Sequence, residues 1–251
     1  MKKLWVFSDL HLKSMSSPLV GAFLKALQEP SESDDVVVLA GDIFDLYVGN
    51  QNYFYSQFQP IFEALKRITD CQVPVHYIQG NHDFHFEKHL QSVGVQVSST
   101  DDCIQLQSIT GKKFYIAHGD LVDTSDHAYL RLRKILRSNI IRFAVQKIPN
   151  AVIQWVAGQM ARTEDQRSLQ LPETFSDSKL QEFRKPYREF AEVKKQEGFD
   201  FVVLGHCHDL DTLAPFYSNM GYPPVHRQFL YYEADLEPQN DLLKRRFFTG
   251  I

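Results

Sequence analysis

The chain reads as an α/β protein carrying a helical insertion, and three observations carry that expectation. Over roughly the first 80 residues, short apolar runs alternate with segments of helical spacing, the pattern of parallel strands joined by crossover helices. The pattern then changes to closely spaced runs that look like hairpins. Between about residues 123 and 198 helical spacing takes over, so an insertion is expected there within a single domain spanning 1–251.

In order, residues 3–8 form a buried strand that ends in Asp9-Leu10-His11. Residues 18–28 have helical spacing, with Pro18 tolerated in the first turn and Pro30 beyond the end. Val36-Val37-Val38-Leu39-Ala40 is apolar without alternation, as a strand buried on both faces is, and it opens into Gly41-Asp42-Ile43-Phe44-Asp45. Residues 52–69 place Phe54, Phe58, Ile61, Phe62, Leu65 and Ile68 at helical intervals, with Pro60 as a break or kink. A third strand, residues 73–79, delivers Gly80-Asn81-His82-Asp83.

Residues 103–108 and 113–117 flank Thr110-Gly111 as a hairpin whose second strand ends at His118-Gly119-Asp120. The insertion, interrupted by Pro149, Pro172 and Pro186, is expected to form a lid over the strand ends. A strand at 201–204 leads into Gly205-His206-Cys207-His208, and residues 228–234 and 241–248 form a last hairpin around a turn at 237–240.

With 251 residues, 43% of them hydrophobic and 13% aromatic, the chain can bury a sizeable core. No apolar run reaches the length of a membrane span, and Met1-Lys2-Lys3-Leu4-Trp5-Val6-Phe7 has no signal-peptide core, so a cytoplasmic protein is expected. Cys71, Cys103 and Cys207, odd in number and far apart, fit neither a disulfide framework nor a thiolate metal site. The formal charge of −4 argues against a nucleic-acid partner.

That charge is unevenly spread. Residues 127–163 contain no Asp or Glu but carry seven cations, Arg131, Arg133, Lys134, Arg137, Arg142, Lys147 and Arg162, which leaves −11 on the rest of a chain of −4. Such a segment either faces an anionic ligand or a membrane surface, or is a solvated helix face whose partners lie elsewhere in the fold.

Five short motifs each follow an apolar strand: Asp9-x-His11, Gly41-Asp42-x-x-Asp45, Gly80-Asn81-His82-Asp83, His118-Gly119-Asp120 and Gly205-His206-x-His208. Alone, each reads more readily as a helix cap or a structural histidine. Together, at the carboxyl ends of strands where α/β folds bind ligands, they point to one shared site. Residues two apart in an extended segment can turn toward the same side, so each Asp-x-His or His-x-His pair offers two donors to one cation. Mixed carboxylate, imidazole and amide donors suit Mn²⁺, Fe²⁺ or Zn²⁺. Asp9, His11, Asp42, Asn81, His118, His206 and His208 are too many for one ion that must also hold substrate, so two are expected. Such a pair, about 3.5–4 Å apart and bridged by a carboxylate, acidifies a water and clamps phosphoryl oxygens.

In this order the five motifs, spanning residues 9–208, resemble the calcineurin-like metallophosphoesterase family. The resemblance implies a four-layer αββα sandwich of two sheets between helices. It also implies that Asp9, His11, Asp42 and His208 hold one divalent ion and Asp42, Asn81, His118 and His206 the other, with Asp42 as the bridge. Mn²⁺ is the expected metal, with Fe²⁺ or Zn²⁺ as alternatives. His82 would contact the scissile phosphate or protonate the leaving oxygen, and Asp45 would orient it.

Asp9-Leu10-His11-Leu12, Gly80-Asn81-x-Asp83-Phe84 and His118-Gly119-Asp120 followed by Asp126-x-x-Tyr129-x-Arg131-x-Arg133 are similar to the UDP-2,3-diacylglucosamine diphosphatases of bacterial lipid A synthesis. Tyr217-Ser218-Asn219-Met220-Gly221-Tyr222 looks like a variant of that group's Asn-x-Gly segment. This resemblance implies a phosphorylated glycolipid substrate and an insertion that shelters acyl chains, with Ile140, Ile141, Phe143, Ile153, Trp155 and Val156 available here. It further implies Asn81, His82, Asp126, Tyr129, Arg131 and Arg133 as substrate contacts, and peripheral contact with the inner membrane surface. The chain departs from that group's best-known branch by bearing His82 in place of Arg, and by acidic residues at 164–165 and 173–177. Cyclic nucleotides, other nucleotide diphosphates and phosphomonoesters remain alternative substrates, and a metal-free interaction module is the non-enzymatic alternative.

Overall fold

A computed structural model describes residues 1–98, 102–149, 151–153, 155, 171–235, 237 and 241–250. The chain begins β1 (Lys3–Phe7), α1 (Pro18–Ala26), β2 (Asp35–Leu39), β3 (Tyr47–Val48), α2 (Asn52–Gln57), α3 (Gln59–Asp70), β4 (Val75–Tyr77), β5 (Asp83–Phe84), α4 (Glu87–Ser92) and β6 (Gln96–Val97). It continues β7 (Cys103–Gln107), β8 (Lys113–Ala117), α5 (His127–Leu136), α6 (Asn139–Val145), α7 (Asp177–Gln196), β9 (Phe201–Leu204), β10 (Thr212–Leu213), β11 (Tyr217–Asn219), β12 (Gln228–Glu233) and β13 (Leu243–Phe247).

Two sheets are stacked. The first has strand order β13-β12-β1-β2-β4-β6, and the second β10-β11-β9-β8-β7. Strands β1, β2, β4 and β6 run parallel, while the last hairpin, β12 and β13, adds antiparallel strands beside β1. The apolar runs lack alternation because both faces of these strands are covered. Trp5, Phe7, Val37, Leu39, Val75 and Tyr77 pack in one cluster with Leu19, Phe23, Phe62 and Leu65 of the flanking helices. Their neighbours Leu4, Val6, Val36 and Val38 face the second sheet through Phe114, Ile116, Phe201 and Val203. The outer face of the second sheet, with Tyr115, Ala117, Val202 and Leu204, is covered by Tyr187 and Ala191 of α7. Helix, sheet, sheet and helix thus form the four expected layers.

Three local expectations change. The helix expected over 52–69 is two, broken at Phe58 (φ −108°, ψ 18°), with Pro60 in the first turn of α3, where its missing N–H costs nothing. Helix α7 runs through Pro186 without interruption, the lost hydrogen bond being outweighed by the packing of Tyr187 and Ala191 on the second sheet. This helix, the last part of the expected lid, is therefore an outer layer of the sandwich. The strand ends are instead approached by α5 and α6. Arg162, Val156, residues 164–165 and most of the turn at 237–240 lie outside the described residues. No helix among the described residues is long and apolar enough to cross a membrane.

Candidate metal centre

Each motif leaves the carboxyl end of a strand: Asp9 and His11 after β1, Asp42 after β2, Asn81 and His82 after β4, His118 after β8, and His206 and His208 after β9. The segments are not extended as expected. Asp9, His11, Asp42, His206 and His208 all have left-handed backbones, with φ between 44° and 69°. Such a conformation costs about 1–2 kcal/mol for a residue bearing a Cβ, so neighbouring groups must hold it.

Asp83 does much of that work. Its buried carboxylate accepts the backbone N–H of Asp42 (3.0 Å), Ile43 (2.7 Å), Phe44 (3.2 Å) and Gly80 (2.9 Å), and the Tyr77 hydroxyl as well. The two loops are thereby tied at a single point. Asp9 plays the same part elsewhere, accepting the N–H of His206 at 3.1 Å and the Ser8 hydroxyl at 2.6 Å. Close approach fixes two glycines, because a Cβ on Gly80 would overlap the Asp42 carboxylate and one on Gly205 the Asp9 carboxylate.

The seven expected ligand side chains converge. Asp9, His11 and His208 form one cluster, and Asp42, His118 and His206 another, the donor atoms within each lying within 4.8 Å of one another. Asp42 lies between them, its Oδ2 3.8 Å from His11 Nε2 and 3.5 Å from His118 Nε2. Asn81 joins the second cluster, its Oδ1 3.1 Å from His118 Nε2 and 3.0 Å from His206 Nδ1. His208 Nε2 is 3.1 Å from His11 Nε2 and 3.5 Å from Asp9 Oδ1. His118 donates its Nδ1–H to the Ala40 carbonyl (3.0 Å), which turns Nε2 toward the centre.

Burial, aided by the charges of His208 and His82 against the opposing Asp45, pulls His11 down to about 4. Burial and the neighbouring His118 likewise bring His206 to about 4. Both therefore offer neutral imidazole lone pairs at pH 7. Burial opposes charge on His118 too, but Asp42, Asp9, Asp120 and Asp83 outweigh it and push this ring up to about 9. Burial raises the Asp42 carboxyl well above the usual range, with Asp83 and Asp9 adding to the effect against His118. Carboxyl and imidazole groups thus crowd into a buried space where a cation would replace the protons of Asp42 and His118, and this donor set fits divalent cations of the Mn²⁺, Fe²⁺ and Zn²⁺ type.

Asp45 reaches His82 differently from the expectation. The His82 Nδ1–H donates to the Asp45 backbone carbonyl at 2.8 Å, while the carboxylate lies 3.9 Å from that nitrogen and 3.4 Å from His11 Nδ1. The backbone therefore sets the His82 ring, and the side chain stands behind His11. His82 itself is adjacent to the centre, forming a further cluster with His11 and Asp42.

The four residues expected on the insertion divide by helical period. Tyr129 and Arg133, one turn apart, face inward, where Tyr129 donates to Asp120 Oδ2 at 2.8 Å and packs its ring 5.5 Å from His206. Arg133 bridges Asp120 and Asp102, the latter at 2.7 Å. Arg131 is exposed, and Asp126 caps α5 by accepting the Tyr129 N–H at 2.9 Å. Arg133 and Arg142, which pairs with Glu87 at 2.9 Å, find acidic partners outside the acid-free segment.

Other residues at the site carried weaker sequence signals. Asp83 and Asp120 sat inside motifs without a role. Arg184 and Arg188 of α7 grip Asp209 and Asp211 just beyond His208, each with two hydrogen bonds. Tyr222 stacks on His208 at 4.5 Å, and nothing in its sequence surroundings announces that contact.

Residues 2–210 match the calcineurin-like phosphoesterase family. Proteins named UDP-2,3-diacylglucosamine hydrolase are also similar. The one from Photobacterium profundum is 31% identical over 82% of this chain and 80% of its own length, and that of Pseudomonas fluorescens 26% over 81% and 78%. That of Blochmanniella pennsylvanica is 29% identical over 58% of this chain and 57% of its own. With the sandwich, the strand-end loops and the family match over most of its length, the chain belongs to the calcineurin-like phosphoesterases and is a metal-dependent phosphoester hydrolase.

Proposed function

We propose that the protein hydrolyses the pyrophosphate of UDP-2,3-diacylglucosamine, giving UMP and the acylated sugar phosphate. Asp9, His11, Asp42 and His208 would hold one divalent ion and Asp42, Asn81, His118 and His206 the other, with Mn²⁺ the first choice. Bound there, the pair would supply positive charge to the phosphoryl oxygens and acidify a water. In the reaction water adds to the phosphorus next to uridine and the bond from that phosphorus to the bridging oxygen breaks. With Nδ1–H held by the Asp45 carbonyl, His82 has Nε2 to meet the departing oxygen.

The observation that carries the lipid part of this reading is the surface beside the centre. Helices α5 and α6 contain no buried residue, and Leu132, Ile135, Ile140 and Phe143 are 53%, 58%, 80% and 65% exposed, interleaved with cations. Solvent-facing side chains of this size invite acyl chains or the cytoplasmic face of a membrane. Incubation with Mn²⁺ and the acylated UDP-sugar should release UMP, and absence of UMP would sink the proposal. A panel of UDP-sugar without acyl chains, a cyclic nucleotide and a phosphomonoester separates this substrate from the alternatives: equal turnover of the unacylated sugar would remove the lipid from the reading.

A further inference from the structure

Helix α5 is fastened to the loop that carries Asn81 by bonds running in both directions. One guanidinium nitrogen of Arg137 donates to the backbone carbonyls of Gln79 and Gly80, each at 2.9 Å. In return, His85 at the far end of that loop donates from Nε2 to the Leu136 carbonyl at 2.8 Å. Leu136 is the last residue of α5, so this carbonyl is one that the helix cannot satisfy itself.

Arg137 also lies over the Phe84 ring, 5.2 Å from its centre. Among the described residues no carboxylate pairs with it, since Asp102 and Asp120 are taken by Arg133 and Glu87 by Arg142. A half-buried cation without an anion is costly, and this one is compensated by carbonyls of the residues just before Asn81. A small cleft lined by Asn81, Phe84, Tyr129, Leu136 and Arg137 separates helix from loop. A shorter or apolar side chain at 137 would leave that cleft for the loop to settle into.

We propose that Arg137 is a positioning residue for the Asn81 side of the metal centre, holding the 79–85 loop at the height at which the Asn81 amide oxygen meets His118 and His206. The inference rests on the two-ion reading above. It makes an unequal demand on the two ions: Asn81 belongs to one cluster only, Asp9, His11 and His208 are carried by other loops, and Asp42, which Asp83 ties to the 79–85 loop, is shared by both. A helix anchor with a merely structural role would weaken both ions alike or neither.

The test uses the full chain and Mn²⁺ alone, by calorimetric titration and by electron paramagnetic resonance of the bound ions. Wild type should bind two Mn²⁺ with a spin-coupled spectrum. In Arg137→Met one ion should bind about tenfold more weakly while the other stays within about twofold, and sub-stoichiometric Mn²⁺ should give a mononuclear spectrum. Arg137→Lys, which keeps a donor, should recover part of the loss, and His85→Ala should weaken the same ion. Lys134→Met, exposed on the same helix, should match wild type. If Arg137→Met does not fold, as judged by circular dichroism, the lysine and His85 variants carry the comparison. Two Mn²⁺ bound with unchanged affinities in the folded variants would overturn the inference alone. Wild type binding fewer than two would overturn the two-ion reading, and the inference with it.

Discussion

The left-handed turns at Asp42 and His206 are held by buried carboxylates, whereas the cover formed by α5 and α6 has no buried residue among those described. Asp83 alone fixes four backbone N–H groups from two loops, and Asp9 fixes the turn at His206. The cover is instead attached at a few polar points, Tyr129 and Arg133 on Asp120 and Arg137 on the 79–85 loop, and turns its large apolar side chains outward. Geometry needed for chemistry is built where many bonds determine each atom. Under the proposed function, the surface that would meet an acylated substrate is built where few do.

The largest expected effect breaks the first region outright. Asp42→Ala should remove detectable hydrolysis and reduce bound Mn²⁺ from two equivalents to at most one weak one, a loss beyond the roughly hundredfold limit of changes behind the ligands. Plasma emission analysis of the purified variant checks it, and unchanged metal content would refute the bridging role.

Asp83→Asn touches no predicted ligand position yet should lower Mn²⁺ affinity about 10- to 100-fold, because one of the two oxygens that receive the backbone N–H groups at 42–44 and 80 becomes an amide NH2, a donor facing donors. Affinity within about twofold of wild type would show that the turns hold themselves.

Metal removal sharpens the same contrast through pH. In the metal-free protein His118 is raised from 6.5 to about 9, so its protonated form stabilises that state fully below 6.5 and the contribution is lost as pH rises through about 9. Mn²⁺ must displace this proton. The gain in melting temperature that a fixed excess of Mn²⁺ confers should therefore grow across that window, and a gain that shrinks would contradict the assignment.

The smallest effect on the centre belongs to the cover. Ile140→Ser with Phe143→Ser should leave Mn²⁺ affinity and turnover of a small soluble phosphodiester unchanged, with stability within about 0.5 kcal/mol per site. The same change should raise KM for the acylated UDP-sugar about tenfold, as lost apolar contact of one to two kcal/mol would. Equal loss on both substrates would erase the division of labour between the regions.

Much of the fold was legible because short, β-branched apolar runs that end at a glycine, such as 36–40 and 201–204, fit strands covered on both faces. The candidate ligand residues were legible as a set because each motif follows such a run directly. Less legible were features that depend on contacts between distant segments. The split at Phe58 is set by the turn into α3 as much as by Pro60. Periodicity groups helix α7 with the lid because it shows that a helix has an apolar face without showing what covers it. Asp45 could be placed beside His82, but not the choice of backbone over side chain as the acceptor.

By itself, the sequence determined that the strands end in Asp, Asn and His at five points, and hence that a metal-binding hydrolase was in prospect. Only the tertiary structure decided that Asp83 and Asp9 hold the left-handed turns at Asp42 and His206, and that Arg137 is tied to the Asn81 loop. The reason is physical. Residue type and strand periodicity are local properties written into neighbouring positions, whereas the distance between two side chains 40 or 200 positions apart is set by the stacking of the sheets and by the hydrogen bonds that close the loops.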